Sequence, residues 1–306
     1  MSTAKRALWV CSLSAVLCPY KASSGAENVK APWEEAGADP ELHLCGKVLT
    51  VKTAQEIPTA VYINQSGSSS FPKDYFFFDI DETVLLPNTT FVYGLPATDR
   101  FLASLGTCEK AALPAVLPLM ERAYYSSHEM LIDQDLPNVI RGLQERGHSI
   151  SGLTSRCTED AACAWHNEVV FESLDRFGVV FSDVHSNNSE WQRGVFFASD
   201  EDVRPTDAVQ EVSGKAKVID NETETGQRAV LVDNTLKKLQ LALAQARTCT
   251  VGIHFTAVFE MQKSQSEMTQ WFCEALESLQ VECPMCQSSR SELDEPQRAN
   301  LQRNDL

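Results

Sequence analysis

The sequence predicts an α/β fold, a doubly wound parallel sheet with helices on both faces and a small helical insertion. Three observations predict it. Apolar runs typical of strands buried on both faces, Tyr75–Phe78 and Ala229–Val232, recur along the chain. Stretches with helical spacing alternate with them. Polar side chains suited to chemistry stand directly after several of these runs, where open sheets of this kind bind ligands.

The elements follow in order. Residues 47–63 carry apolar positions around Pro58 and read as a strand or a helix. Gly67, Ser68, Ser69 and Ser70 form a loop, and Asp74 opens the first clear strand, which runs to Asp81. From Pro87 to Asp135 the pattern is helical with no clear strand. Leu136, Val139, Ile140 and Leu143 share one helix face, and Gly147 stops that helix. Ser149–Leu153 is a second strand ending at Thr154. Glu159–Phe177 is a helix ended by Gly178, and Val179–Val184 is the expected third strand. Residues 185–214 are polar and mixed, with a short hairpin around Gly194–Phe197. Lys215–Glu222 is helical, Ala229–Asp233 a strand, Thr235–Arg247 a helix, Thr250–Phe255 a strand and Ser264–Leu279 an amphipathic helix.

With 306 residues, the chain is long enough for one well-buried core with an insertion. A formal net charge of -16 repels phosphate backbones and anionic membranes, so nucleic acid is excluded as a partner. A small anionic substrate remains compatible once a bound cation reverses the local field. At the start, Lys5 and Arg6 precede an apolar run from Ala7 to Tyr20, and small residues follow at Ala22, Ser23, Ser24 and Gly25. This is the layout of a secretory signal over residues 1–24, too short for a membrane span. Export to the periplasm or the medium is the expectation, with no other membrane contact. Residues 287–306 read as a flexible polar tail. There are ten cysteines. Export permits disulfides among them, with pairing left open. Cys283-Pro-Met-Cys286 is half of a zinc-type spacing, and the sequence holds no second pair to complete it.

The residues at the strand ends carry the chemistry. They are Asp79-Ile-Asp81-Glu-Thr83 after the first strand, Thr154-Ser-Arg156 after the second, and Asp233-Asn234 after Ala229–Val232. Lys215 stands near the start of the helix before that last strand. A calcium loop does not fit, because Val84 stands where the tight-turn Gly belongs. Arg156 suits either a substrate anion or a surface carboxylate. Lys217 is the alternative to Lys215.

In this order the four pieces resemble the motifs of the haloacid dehalogenase-like superfamily. The stretches Phe78–Leu85, Gly152–Arg156 and Ile253–Thr256 are similar, more narrowly, to a bacterial family of uncharacterised exported proteins within it. The resemblance spans roughly residues 45–260. It implies a magnesium-dependent phosphohydrolase acting on a small phosphomonoester. Asp79 is then the nucleophile, which splits one hard step into two through an aspartyl-phosphate. Asp81 is the acid and base. Thr154 holds a phosphoryl oxygen and Lys215 neutralises charge. Magnesium is held by the Asp79 carboxylate, the main chain of Asp81 and Asp233. Asn234 stands where the pattern usually has a second acid, which implies a weaker metal site or an amide that orients a metal-bound water. The long interval from Asp79 to Thr154 implies a helical cap over about residues 90–134. Phe91, Tyr93, Trp165 and Trp191 are candidates to line its cleft, although a core role is the commoner one for such residues. Phosphotransfer to another hydroxyl uses the same residues. A non-catalytic exported binding or effector protein is the alternative from a different class.

Overall fold

The computed structural model describes residues 44–62, 73–92, 95–156, 161–182, 191–198, 201–203, 210–261 and 264–287. The expected signal, the Gly67–Ser70 loop, Tyr93 and all but the first residue of the polar tail lie outside them, as do the side chains of Trp165 and Trp191.

A seven-stranded sheet forms the centre. Its strands are β1 (Val48–Val51), β2 (Tyr75–Phe78), β5 (Ser149–Thr154), β6 (Trp191–Gln192), β7 (Val195–Phe197), β10 (Ala229–Asp233) and β11 (Thr250–Phe255). They lie in the order β1-β11-β10-β2-β5-β7-β6. Every neighbouring pair is parallel except β6 with β7, so six strands run the same way. Residues 47–63 hold both elements considered for them, β1 and then helix α1 (Glu56–Tyr62). Pro58 falls in the first turn of α1, where a missing N–H is harmless.

Strand β2 shows why the sheet has helices on both faces. Alternate side chains point to opposite sides. Phe76 and Phe78 join one core with Ile150, Val230, Val232 and Ile253. That core is closed by α1, α4 (Leu136–Glu145) and α5 (Ala161–Phe177). Tyr75 and Phe77 join a second core with Leu153, Phe196 and Leu231, closed by α6 (Gly214–Glu222) and α7 (Leu236–Gln245).

The expected strand at Val179–Val184 is not formed over its described part. Val179 and Phe181 are buried and Val180 is exposed, the alternation of a half-buried strand. Yet among the described residues its hydrogen bonds to β5 are those of Ser182, whose N–H donates to Ile150 O at 2.7 Å. The place beside β5 belongs to β7. Arg193 and Gly194 both adopt positive φ, 51° and 80°, the two-residue turn that lets β6 and β7 form a hairpin. A Cβ on Gly194 would come within 2.6 Å of Phe181 Cβ, so this close approach also needs a glycine.

Between β2 and α4 the chain makes an antiparallel pair, β3 (Leu85–Pro87) with β4 (Glu129–Leu131). Strand β4 falls where the sequence pattern showed only helix. Helices α2 (Pro96–Ser104) and α3 (Thr107–Ser126) lie between its strands. Their apolar faces pack on α9 (Gln265–Ser278), the last long helix among the described residues, in a third core of Phe91, Phe101, Val116, Met120, Met268 and Phe272 among others. Disulfides brace these parts. Cys45–Cys249 joins the starts of β1 and β11, Cys108–Cys283 joins α3 to the segment after α9, and Cys273–Cys286 closes that segment on α9. The half zinc spacing is thereby used up, since Cys283 and Cys286 are bonded to different cysteines. Among the described residues no helix is long and apolar enough to cross a membrane.

Candidate active site

Because the strands are parallel, the carboxyl ends of β2, β5 and β10 open on one edge of the sheet. Asp79 and Asp81 follow β2, Thr154 ends β5, and Asp233 ends β10. Lys215 comes to the same edge from the first turn of α6. Ser213 caps that helix by accepting the Ala216 N–H at 3.3 Å, which fixes where the helix begins.

The centre is a buried triad of charges. Lys215 Nζ donates to Asp79 Oδ1 and to Asp233 Oδ2, each at 2.6 Å. All three residues are buried. Burial disfavours the ammonium, but the carboxylates of Asp233 and Asp79 outweigh it and hold Lys215 above the ordinary lysine range. Burial pushes Asp79 up to about 6, against the pull of Lys215 and with help from Asp233. The second oxygen of Asp233 is fixed by the Thr235 N–H at 2.7 Å. Lys217, the alternative cation, is exposed.

After Asp79 the chain reverses tightly. Ile80 O accepts the N–H groups of Val84 at 3.0 Å and Leu85 at 2.9 Å, and Glu82 takes a left-handed φ of 61°. This turn brings Thr83 back beneath Asp79. The Thr83 hydroxyl lies 3.1 Å from Asp79 Oδ2 and 3.3 Å from Asn234 Oδ1, and it accepts the Asn234 N–H at 3.0 Å. Asn234 also turns its Nδ2 to Glu82 Oε2 at 3.4 Å. His254, the next strand's end residue, reaches Asn234 O at 3.0 Å and so stands at the rim.

Asp81 faces the other way, toward β5. Thr154 Oγ1 donates to Asp81 Oδ2 at 2.9 Å, and Arg156 grips both oxygens, with Nε at 2.9 and 3.0 Å and Nη2 on Oδ1. Burial works against this carboxylate, but Arg156 and Thr154 hold it below the usual range. The surface-carboxylate partner considered for Arg156 is corrected here, because its partner is a carboxylate of the site. Thr154 spends its proton on Asp81 in this structure.

Three residues at the site were not singled out from sequence. Glu129 on β4 lies 3.3 Å from Arg156 Nη2 through Oε1. Burial pushes it up to about 7 although Arg156 opposes this. Glu82 is pushed up to about 8 by burial and by the charges of Asp81 and Asp79. Tyr124 of α3 donates to Glu82 Oε1 at 3.4 Å, which brings the helical insertion to the site. Glu82 stood in the Asp-x-Asp-x-Thr stretch without a role. Glu129, in Glu-Met-Leu, had no sequence signal at all.

A family model described as "Protein of unknown function (DUF2608)" matches residues 50–284. The chain belongs to the DUF2608 family. The DUF2608 match opens inside β1 and runs past α9, so it takes in every strand end and helix that builds this site. Comparisons with curated proteins and with solved structures give no match.

Among the described residues no three His, Cys, Asp or Glu side chains cluster as a metal cage. The donor set here is of another kind: two carboxylates, Asp79 and Asp233, already turned to one cation, with the Asn234 amide beside them. All are hard oxygen donors, and magnesium needs one or two carboxylates with the rest of its shell from water and phosphate. The residues fit that ion.

Proposed function

We propose that this protein is a magnesium-dependent phosphohydrolase of the haloacid dehalogenase-like superfamily, acting on a small phosphomonoester. The observation that carries the reading is the pairing of two carboxylates at one strand end with opposite surroundings. Asp79 shares a buried ammonium with Asp233, and Asp81, two residues on, is held by Thr154 of the adjacent strand. Two acids in unlike environments divide the roles of nucleophile and proton carrier.

Asp81 first takes up a proton from solvent. In the first step Asp79 then forms a bond to phosphorus while the bond to the leaving oxygen breaks, and Asp81 delivers that proton to the leaving oxygen. In the second, water attacks the aspartyl-phosphate, Asp81 takes the water's proton, and Asp79 leaves as a free carboxylate. Lys215 keeps positive charge beside the nucleophile throughout. Thr154 gives its hydroxyl to a phosphoryl oxygen once substrate replaces Asp81 as its acceptor. Magnesium, held by Asp79, the main chain of Asp81, Asp233 and Asn234, supplies neutralising charge for the phosphoryl oxygens.

We take the protein to be exported and to carry its three described disulfides in an oxidising compartment. The test is hydrolysis of an aryl phosphate by residues 25–306, with and without magnesium, beside Asp79→Asn. Metal-dependent turnover that vanishes in the variant supports the reading. A folded protein with no turnover on aryl, sugar and nucleotide phosphates would falsify it, in favour of a binding protein on the same fold.

A further inference from the structure

Asp81 is fully engaged in this structure. Oδ1 accepts from Arg156 Nε and Nη2, and Oδ2 accepts from Arg156 Nε and the Thr154 hydroxyl. A carboxylate held sideways by a fork of this kind cannot turn to a leaving oxygen until some of these bonds are given up.

The Arg156 Nη2 that holds Asp81 Oδ1 also faces Glu129. Its residue is 7% exposed, and its Oε1 already lies 3.3 Å from Arg156 Nη2. Its Oε2 is buried and meets no donor among the described residues. A buried carboxylate oxygen without a donor is costly, and Arg156, already beside Oε1, is able to supply one. The strand that carries Glu129 is anchored, because Arg176 of α5 donates to Glu129 O at 2.5 Å. The exchange is therefore a movement of the Arg156 side chain, whose Nη2 already faces both carboxylates.

We infer that Glu129 is a positioning residue that draws Arg156 off Asp81 during the reaction, freeing the acid to turn to the leaving oxygen. This deepens the phosphohydrolase reading and rests on it. Moving the fork from Asp81 to Glu129 exchanges one set of charge-assisted hydrogen bonds for another and gives Oε2 its missing donor. The guanidinium keeps a carboxylate partner in both positions, so the event that tips it need only weaken its hold on Asp81. The tipping event is a phosphoryl oxygen taking the Thr154 hydroxyl, which removes one of the bonds that hold Asp81 aside.

Steady-state kinetics on an aryl phosphate with wild type, Glu129→Gln, Arg156→Gln and the double variant test the idea. Glu129→Gln is expected to lower kcat by about tenfold or more with KM changed by less than about threefold, and the loss is expected to disappear in the Arg156→Gln background. A kcat within about twofold of wild type, or a loss of equal size in both backgrounds, overturns it. Should Glu129→Gln not fold, the wild type alone decides. Binding of inorganic phosphate is expected to shift the Arg156 Nε–H resonance, and bound phosphate with no shift overturns the inference. Active wild type with an indifferent Glu129→Gln removes this inference alone. Wild type that neither turns over nor binds phosphate removes the phosphohydrolase reading and the inference with it.

Discussion

Lys215 places its ammonium 2.6 Å from Asp79 Oδ1 across 136 residues of sequence. The same nitrogen serves Asp233, so one buried cation offsets two buried anions. Removing it leaves two buried carboxylates with no cation between them. Lys215→Ala is expected to cost about 3–5 kcal/mol of folding stability, since breaking a buried ion pair strands its charge. Chemical denaturation of the variant measures this, and added magnesium is expected to return part of the loss.

In the proposed reaction Asp79 must be ionised to attack. With Asp79 pushed up to about 6, kcat/KM is expected to fall as pH drops through that value. A divalent cation favours the carboxylate, so raising magnesium moves this limb to lower pH. A pH–rate profile at two magnesium concentrations checks both points, and a limb that stays in place counts against Asp79 as a metal ligand.

Glu82 gives a stability signature of its own. Its folded value, about 8, lies above the ordinary 4.5, so the folded state binds its proton more tightly than the unfolded chain does. That contribution is complete below about 4.5 and is lost as pH rises through about 8. Glu82→Gln removes the titration. Its urea midpoint is expected to gain on wild type between about pH 5 and about pH 9, with a constant difference as the contrary result.

Asn234→Asp tests the departure from the usual acid. The amide oxygen would become a carboxylate beside Asp79, and apparent magnesium affinity is expected to rise about tenfold. Titration of magnesium against turnover reads this. The new charge would also replace the Nδ2 donor to Glu82, so the variant is expected to lose stability at alkaline pH.

Cys45→Ser opens a bridge whose cysteines stand 204 residues apart. Loss of about 2–4 kcal/mol is expected, on the usual scale for such cross-links. Thermal melting of the variant against wild type, both unreduced, gives the value.

Much of the sheet was legible because it rests on local pattern. Phe76, Phe77 and Phe78 have no polar neighbour to hide, and a run buried on both faces has that look. The approach of Asp79, Thr154 and Asp233 followed from parallel strands sharing an edge. What stayed hidden depends on contacts distant in sequence. Val179–Ser182 has strand alternation, yet the Arg193–Gly194 turn delivers another segment to the neighbouring position. Glu129 has no periodic signature, since its importance comes from an arginine on another strand. The cysteine pairings join residues up to 204 apart, beyond any local spacing rule.

The third core has a consequence for how the chain is made. Helices α2 and α3 are synthesised well before the surface they bury against, Met268, Phe272 and Leu276, which lies far downstream in the sequence. Until then their apolar faces have no covering, and Cys108 has no partner in Cys283. A nascent chain of this protein thus carries an unfinished patch until α9 is made, a state that invites aggregation or chaperone binding. Helix α9 and the disulfide segment after it act as the closing element of a region that begins just after β3.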